Sequence, residues 1–216
     1  MFESKMSSIP KIILASQSPA RAKLLEQIQL PFLAIPSEID ENDNEKGLKE
    51  PQKYVLQISQ KKAKIIAQCP EYYQKNYIVI GCDTLVVSSS QTIIGKPKNR
   101  DEAAKMLKTL SGEVHTVITG CTIIINPNNV KYQTVVSTLV KFRSLSEREI
   151  SYYLEEGEWQ DKAGSYAIQG LGAILIQEIE GDYYNIVGLP INWIWQTLWN
   201  HYGKDLLLIM SGNKKM

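Results

Sequence analysis

Residues 114–142 have the sequence VHTVITGCTIIINPNNVKYQTVVSTLVKF, and this stretch decides the fold class. Its two parts, 114–125 and 130–142, are rich in the β-branched and aromatic residues that favour strands. The segment NPNN between them, at 126–129, is typical of a tight turn. The sequence therefore predicts an antiparallel hairpin here, which we place at the waist between two lobes.

Helical and strand patterns alternate on both sides of the hairpin. Pro19 after Ser18 predicts a helix over 19–29 with Ser18 as its N-cap. Ser146 and Glu149 form the sequence pattern of a capping box. Further strands are predicted over 11–15, 32–36, 77–87 and 172–179, and further helices over 51–68, 99–110, 146–154 and 190–199. The mixed order predicts an α/β domain with a mixed, elongated sheet flanked by helices.

Composition excludes several classes of protein. The chain has 216 residues, 44% of them hydrophobic, and a formal net charge of +1, which argues against a nucleic-acid partner. No apolar run approaches the ~20 residues that span a bilayer, and the N-terminus lacks a signal-peptide pattern, so we expect no membrane partner and a cytoplasmic location. Three cysteines without a CxxC pair and only two histidines argue against a disulfide framework or a multi-histidine metal site.

The segment SQSPAR at 16–21 lies between a predicted strand and a predicted helix. Free N–H groups at the helix start, with Ser16, Ser18 and Arg21, would form a phosphate cradle. Taken alone, the segment is explained more simply as an N-cap with an exposed arginine. The usual phosphate and dinucleotide signatures, GxxxxGK[ST] and GxGxxG, are absent.

Asp83 interrupts the apolar run IGCDTLV at 80–86. A carboxylate there is costly unless it is paired, bound to metal or at a sheet edge, so it is a candidate general base or metal ligand. The alternative is a tight turn between two strands. His115, by contrast, fits a structural hydrogen-bonding role.

Three further residues are candidates for ligand contacts. Lys62 borders the apolar face of the helix over 51–68, where it either extends to solvent or reaches into a site. Lys96 follows a strand and is either a phosphate contact or an ordinary surface lysine. Gln169 lies in the irregular segment 157–170 and can read a nucleobase edge, unless this segment is only a surface loop held by Asp161 and Lys162.

Taken in order, these segments resemble the Maf family of nucleoside triphosphate pyrophosphatases over roughly residues 10–203. The resemblance rests on a series of short motifs whose order and spacing are specific: LASQSP at 14–19, CDT at 82–84, GKP at 95–97, LSG at 110–112 with His115, DKAG at 161–164, IQG at 168–170 and VGLP at 187–190. It implies an N-terminal extension at 1–9, a catalytic domain at 10–203 and a tail at 204–216.

The resemblance implies a fold similar to inosine triphosphate pyrophosphatases, with two lobes and a cleft. It also implies hydrolysis of a nucleoside triphosphate to the monophosphate and pyrophosphate, a divalent cation (Mg²⁺ or Mn²⁺) and a homodimer. Asp83 would activate water, and Glu41 would help place metal or water. Lys62 and Lys96 would neutralise the triphosphate, while Ser16, Ser18 and Arg21 would cradle it.

Thr84 and Gln169 resemble the subgroup that acts on dTTP and UTP. Ala20 departs from that pattern, which has an arginine there, and the departure predicts relaxed pyrimidine selectivity that extends to CTP or modified pyrimidine nucleotides. The alternatives are a 7-methyl-GTP pyrophosphatase and a catalytically weak nucleotide-binding regulator of cell division. Retention of Asp83, Lys62 and Lys96 favours an enzyme, a hydrolase acting on acid anhydrides.

Overall fold

The computed structural model describes residues 10–39 and 50–211. Seven strands form one sheet in this part of the chain: β1 (Lys11–Leu14), β2 (Leu33–Ala34), β3 (Tyr77–Val87), β4 (Ile93–Ile94), β5 (Val114–Ile125), β6 (Val130–Phe142) and β7 (Ile176–Glu180). Their order is β2-β1-β3-β5-β6-β7, with β4 also paired to β3. The strands β1, β2 and β3 are parallel and the other pairs antiparallel, so the predicted mixed sheet is confirmed.

Seven α-helices flank the sheet in the described residues: α1 (Pro19–Gln27), α2 (Pro51–Ala67), α3 (Arg100–Leu110), α4 (Glu147–Glu155), α5 (Tyr183–Val187), α6 (Ile191–Tyr202) and α7 (Asp205–Ser211). The predicted helix starts are confirmed because the capping side chains bond as expected. Ser18 Oγ accepts from the backbone N–H of Arg21, and Ser146 forms a complete capping box with Glu149.

The hairpin has the two strands and the turn that the sequence predicts. Val114 pairs with Lys141 and Ile125 with Val130, and residues 126–129 form the turn between them. The strand β5 also pairs with β3 from Ile78 to Val87, so it lies at the centre of the sheet.

Two separate hydrophobic clusters give the molecule two lobes. The first packs α1, α6 and α7 on one half of the sheet, around Leu24, Ile80 and Leu198. The second packs α3 and α4 on the other half, around Leu107 and Phe142. Burial of such side chains contributes about 1.5–3 kcal/mol each.

The edge of β3 away from β5 has a gap. It pairs with β1 at Tyr77–Ile80 and with β4 at Val86–Val87. Among the described residues, 81–85 have no strand partner on this edge. Asp83 and Thr84 lie in this gap, between the two lobes.

Three segments differ from the sequence expectation. The segment 77–87 is one continuous strand, so the tight turn considered for Asp83 is wrong. Residues 170–175 form a 3₁₀ helix and β7 begins only at Ile176, so the strand predicted over 172–179 is shorter; the backbone N–H of Gly172 donates to Glu158 instead of to a neighbouring strand. In the predicted tail, residues 205–211 form α7, whose Leu206 and Ile209 are buried in the first cluster.

Candidate active site

A cavity of about 800 Å³ opens at the gap in β3, between the two lobes. Nine of the predicted site residues line it: Ser16, Ser18, Ala20, Arg21, Lys62, Asp83, Thr84, Lys96 and Gln169. They come from five separate segments of the chain, which the fold brings to one place. Glu41, the tenth predicted residue, lies outside the described residues.

The loop 15–18 carries the chain from β1 into α1 at one wall of the cavity. Ser16 is buried, and its hydroxyl oxygen accepts from the Ser18 backbone N–H at 3.2 Å and from Arg21 Nη1 at 3.1 Å. Both lone pairs of this oxygen are therefore engaged, and its proton is the group left to donate to a ligand. The start of α1 adds free N–H groups and a partial positive charge.

Arg21 ties three parts of the site together. Its Nη1 donates to Ser16, its Nη2 donates to Thr84 Oγ1 at 3.0 Å, and its Nε donates to the Gly188 carbonyl at 2.7 Å. Gly188 ends α5 with a φ of 108°, and a Cβ there would lie 3.2 Å from both Arg21 Nε and Thr84 Oγ1. Glycine is thus required at 188 by both conformation and space.

Lys62 and Asp83 form a buried ion pair on the other side of β3. Lys62 Nζ lies 2.7 Å from Asp83 Oδ1, and each residue is only 7% exposed. The two opposite charges offset each other's cost of burial. Loss of either one would leave the other buried without a partner, which is strongly destabilising. Lys62 is buried and lines the cavity instead of extending to solvent, the other possibility considered for it.

Two glycines allow α2 to approach the sheet closely enough for this pair. A Cβ on Gly81 would lie 2.5 Å from the Ser59 carbonyl oxygen and 2.7 Å from the Ala63 nitrogen. A Cβ on Gly120 would collide with the Val55 backbone. Any larger residue at these positions of β3 and β5 would push α2, and with it Lys62, away from Asp83.

The cavity carries an excess of positive charge. Of the residues that the structure describes, five cationic side chains line it, namely Arg21, Lys23, Lys62, Lys96 and Lys162, against three carboxylates, Glu38, Asp83 and Asp161. The whole-chain charge of +1 conceals this local excess. A concave site with such a balance attracts small polyanions.

The irregular segment 157–170 forms the opposite wall. Glu158 holds its end by accepting from the backbone N–H groups of Leu171 and Gly172, both at 3.0 Å. Gln169, directly before this turn, is exposed and faces the cavity without a helix or strand to carry it. The segment is therefore more than a surface loop, because its ordered end presents Gln169 to the site.

His115 and Tyr166 form a buried pair at the floor of the second lobe. His115 Nε2 lies 2.7 Å from the Tyr166 hydroxyl, and Tyr166 lines the cavity. Burial lowers the pKa of His115 to about 4 and raises the pKa of Tyr166. The neutral imidazole and the Tyr166 hydroxyl therefore share a buried hydrogen bond, which agrees with the structural hydrogen-bonding role expected for His115.

The carboxylates at the cavity suit a divalent cation that enters the site already bound to the phosphates of a ligand. No group of three or more His, Cys, Asp or Glu side chains is placed to hold a metal within the described residues. Mg²⁺ needs only one or two carboxylates when phosphate oxygens and water complete its shell. Glu38, Asp83 and Asp161 at the cavity can supply those carboxylates.

Sequence reasoning missed residues that support the site from behind. Thr119 hydrogen-bonds to Thr84 at 2.9 Å and to the Asn185 carbonyl at 3.0 Å, and both Thr119 and Asn185 are completely buried. The available signal was a threonine at 119 between the apolar residue Ile118 and Gly120, directly opposite Thr84 once β3 and β5 are paired.

With the geometry in place, comparison with known proteins assigns the family. The sequence profile of the family described as Maf-like protein matches residues 11–201. The chain belongs to this family.

Curated relatives cover nearly the whole chain. A protein of Caldanaerobacter subterraneus subsp. tengcongensis, named dTTP/UTP pyrophosphatase, is 44% identical over 89% of this chain and 90% of its own length. A protein of Thermosipho melanesiensis with the same name is 44% identical over 88% of this chain and 97% of its own length. A solved structure from Mycobacterium abscessus, titled nucleoside-triphosphatase / dITP/XTP pyrophosphatase, aligns with 95% of this chain and 98% of its own at 11% identity and a TM-score of 0.43.

Within the described residues, no helix has the length and apolar character to cross a membrane.

Proposed function

We propose that this protein hydrolyses dTTP and UTP to the nucleoside monophosphate and pyrophosphate. The observation that carries the proposal is the buried Lys62–Asp83 pair, which opens onto a cavity lined by further cations. In this pair a carboxylate that could act as a base lies next to the positive charge that a triphosphate requires. The names of the curated relatives support the same reaction and substrates.

The triphosphate would bind along the cationic walls. The Ser16 hydroxyl, left as a donor by its two accepted bonds, and the start of α1 suit phosphate oxygens. Lys96 is exposed at the rim of the cavity and would contact the leaving phosphates. These contacts lower the negative charge that otherwise repels a nucleophile.

Asp83 would act as the general base. It takes a proton from a water molecule while the water oxygen attacks phosphorus, and the bond between the α and β phosphates breaks to release pyrophosphate. Lys62 holds Asp83 in the free enzyme and would turn toward the phosphates as they enter. A divalent cation bound to the triphosphate would withdraw charge from phosphorus.

The nucleobase of the substrate would lie near Thr84 and Gln169, whose side chains offer hydrogen-bonding groups to the edge of its ring. Ala20 lines the cavity where the subgroup pattern has an arginine, so one cationic contact is missing. Relaxed pyrimidine selectivity caused by this loss stays a prediction.

Four further expectations also stay predictions. They are Mg²⁺ or Mn²⁺ as the cation, a role for Glu41 in holding it, a homodimer and a cytoplasmic location.

A pyrophosphate-release assay with Mg²⁺ or Mn²⁺ tests the proposal. We expect equimolar pyrophosphate and monophosphate from dTTP and UTP. A clear preference for 7-methyl-GTP would contradict the substrate assignment and favour the first alternative. Binding of nucleotide without turnover would contradict the enzymatic assignment and favour a regulatory module.

A further inference from the structure

A chain of hydrogen bonds leaves the cavity through the Thr84 hydroxyl. Arg21 Nη2 lies 3.0 Å from Thr84 Oγ1, which lies 2.9 Å from Thr119 Oγ1. Thr119 Oγ1 in turn lies 3.0 Å from the carbonyl oxygen of Asn185. Thr84 lines the cavity, whereas Thr119 is completely buried behind it.

The number of hydroxyl protons in this series of hydrogen bonds determines which group donates in each bond. A carbonyl oxygen only accepts, so the single Thr119 proton must lie between Thr119 and Asn185. The contact between Thr119 and Thr84 then needs the Thr84 proton, since two hydroxyl oxygens 2.9 Å apart repel each other when no proton lies between them. The reverse assignment would leave the Thr119–Asn185 contact without a proton.

Asn185, at the end of this hydrogen-bonded series away from the cavity, is held in place by further hydrogen bonds. The Asn185 side-chain amide donates to the Val117 carbonyl at 3.0 Å and to Thr138 Oγ1 at 2.9 Å. Asn185 is completely buried, so its backbone carbonyl has a fixed position next to Thr119. The direction set there cannot reverse by a simple side-chain rotation.

Toward a ligand in the cavity, the Thr84 hydroxyl can therefore only accept a hydrogen bond. Its oxygen accepts one proton from Arg21 and gives its own to Thr119, and one lone pair remains for a ligand. A phosphate oxygen is an acceptor and gains nothing from that lone pair. A ligand atom that carries a proton, by contrast, can donate a hydrogen bond to that lone pair.

We propose that Thr119 is a positioning residue that sets pyrimidine selectivity by fixing the direction of the Thr84 hydroxyl. Uracil and thymine carry a proton on ring N3, which matches the acceptor, whereas N3 of cytosine is itself an acceptor. The inference rests on the proposed function and places N3 of the base at Thr84. The inference predicts that the relaxation of selectivity expected from Ala20 is only partial: CTP is a substrate, but UTP is preferred over it by about 10-fold to 100-fold, the usual effect of one unpaired buried polar group.

The test replaces Thr119 by valine, which keeps the shape of the side chain and removes its oxygen. The Thr84 proton is then free to turn toward the cavity and can meet N3 of cytosine. The Asn185 carbonyl keeps the Gly188 N–H, at 3.0 Å, as its partner. Thr119→Ser is the matched control, because it retains the hydroxyl.

Two readouts are needed: kcat/KM for UTP and CTP, and calorimetric affinities for the products UMP and CMP. We expect Thr119→Val to reduce the uridine-to-cytidine ratio at least about 10-fold in both, and Thr119→Ser to keep the wild-type ratio. A merely structural role for Thr119 would weaken both nucleotides equally and leave the ratio unchanged, which overturns the inference.

The wild-type protein supplies a second test that does not depend on folding of a variant. Equal wild-type affinity for UMP and CMP also overturns the inference. Failure to release pyrophosphate from any nucleotide overturns the proposed function instead, and the UMP-to-CMP ratio still decides the role of Thr119.

Discussion

Lys62 Nζ lies 2.7 Å from Asp83 Oδ1, and both side chains are almost fully buried beside the cavity. The base proposed for catalysis and the cation proposed for phosphate binding therefore neutralise each other before substrate arrives. An incoming triphosphate offers Lys62 a second anionic partner. This competition links substrate binding to the exposure of Asp83.

The pair makes a prediction for stability. Lys62→Met keeps the length of the side chain but leaves the Asp83 carboxylate buried without its cation. Loss of one partner of a buried pair typically costs about 3–5 kcal/mol, so we expect the free energy of unfolding in urea at pH 7 to fall by that amount.

The double variant Lys62→Met/Asp83→Asn is the control. It removes both charges, so its loss of stability is expected to be clearly smaller than the summed losses of the two single variants. Additive losses would show that the two charges do not interact, and a stable Lys62→Met variant would show that the pair is not buried in solution.

Lys96 makes a prediction for substrate affinity. It is exposed at the rim of the cavity, so its removal is not expected to change the fold. Lys96→Ala should raise KM for UTP about tenfold, the equivalent of about 1.4 kcal/mol for one charge-assisted contact. Steady-state kinetics at low and high salt measure this effect.

Lys98 provides the matched control for Lys96. It is also an exposed lysine, two residues away, but it does not line the cavity. We expect Lys98→Ala to keep the wild-type KM, so equal effects of the two substitutions would mean that only the general charge of this segment matters.

His115 makes a prediction for pH dependence. Burial lowers its pKa from 6.5 to about 4 in the folded protein. Between these values the unfolded chain binds more protons, so this contribution to stability is complete above pH 6.5 and is lost as the pH falls toward 4. The full shift is worth about 3 kcal/mol.

Urea unfolding of the wild type and of His115→Gln at several pH values isolates this contribution. Glutamine does not titrate, and its side-chain oxygen can still accept from the Tyr166 hydroxyl. We expect the stability difference between the two proteins to shrink from pH 7 to pH 4. A constant difference would mean that His115 titrates normally in the folded state.

Local patterns predicted most of the fold. The hairpin follows from two β-rich runs and a turn, and the starts of α1 and α4 follow from caps at Ser18 and Ser146, because these signals depend on neighbouring residues. The Asp83 segment stayed ambiguous from sequence, since strand and turn differ only in whether distant β5 pairs with it.

The candidate site was predictable only as separate pieces. Family resemblance named Arg21, Lys62 and Asp83, but it did not show that Lys62 and Asp83 are in contact or that Arg21 bonds three segments. Thr119 was missed because its role depends on strand register, which places it opposite Thr84. Such relations arise from tertiary packing and leave little trace in a single sequence.

In the proposed mechanism, Asp83 activates water for cleavage between the α and β phosphates. The most direct measurement compares product formation from UTP by the wild type and by Asp83→Asn, with circular dichroism to confirm that the variant is folded. We predict equimolar UMP and pyrophosphate from the wild type and a rate at least ~10²-fold lower for the variant. Orthophosphate in place of pyrophosphate, or a folded variant with near-normal turnover, would contradict the account.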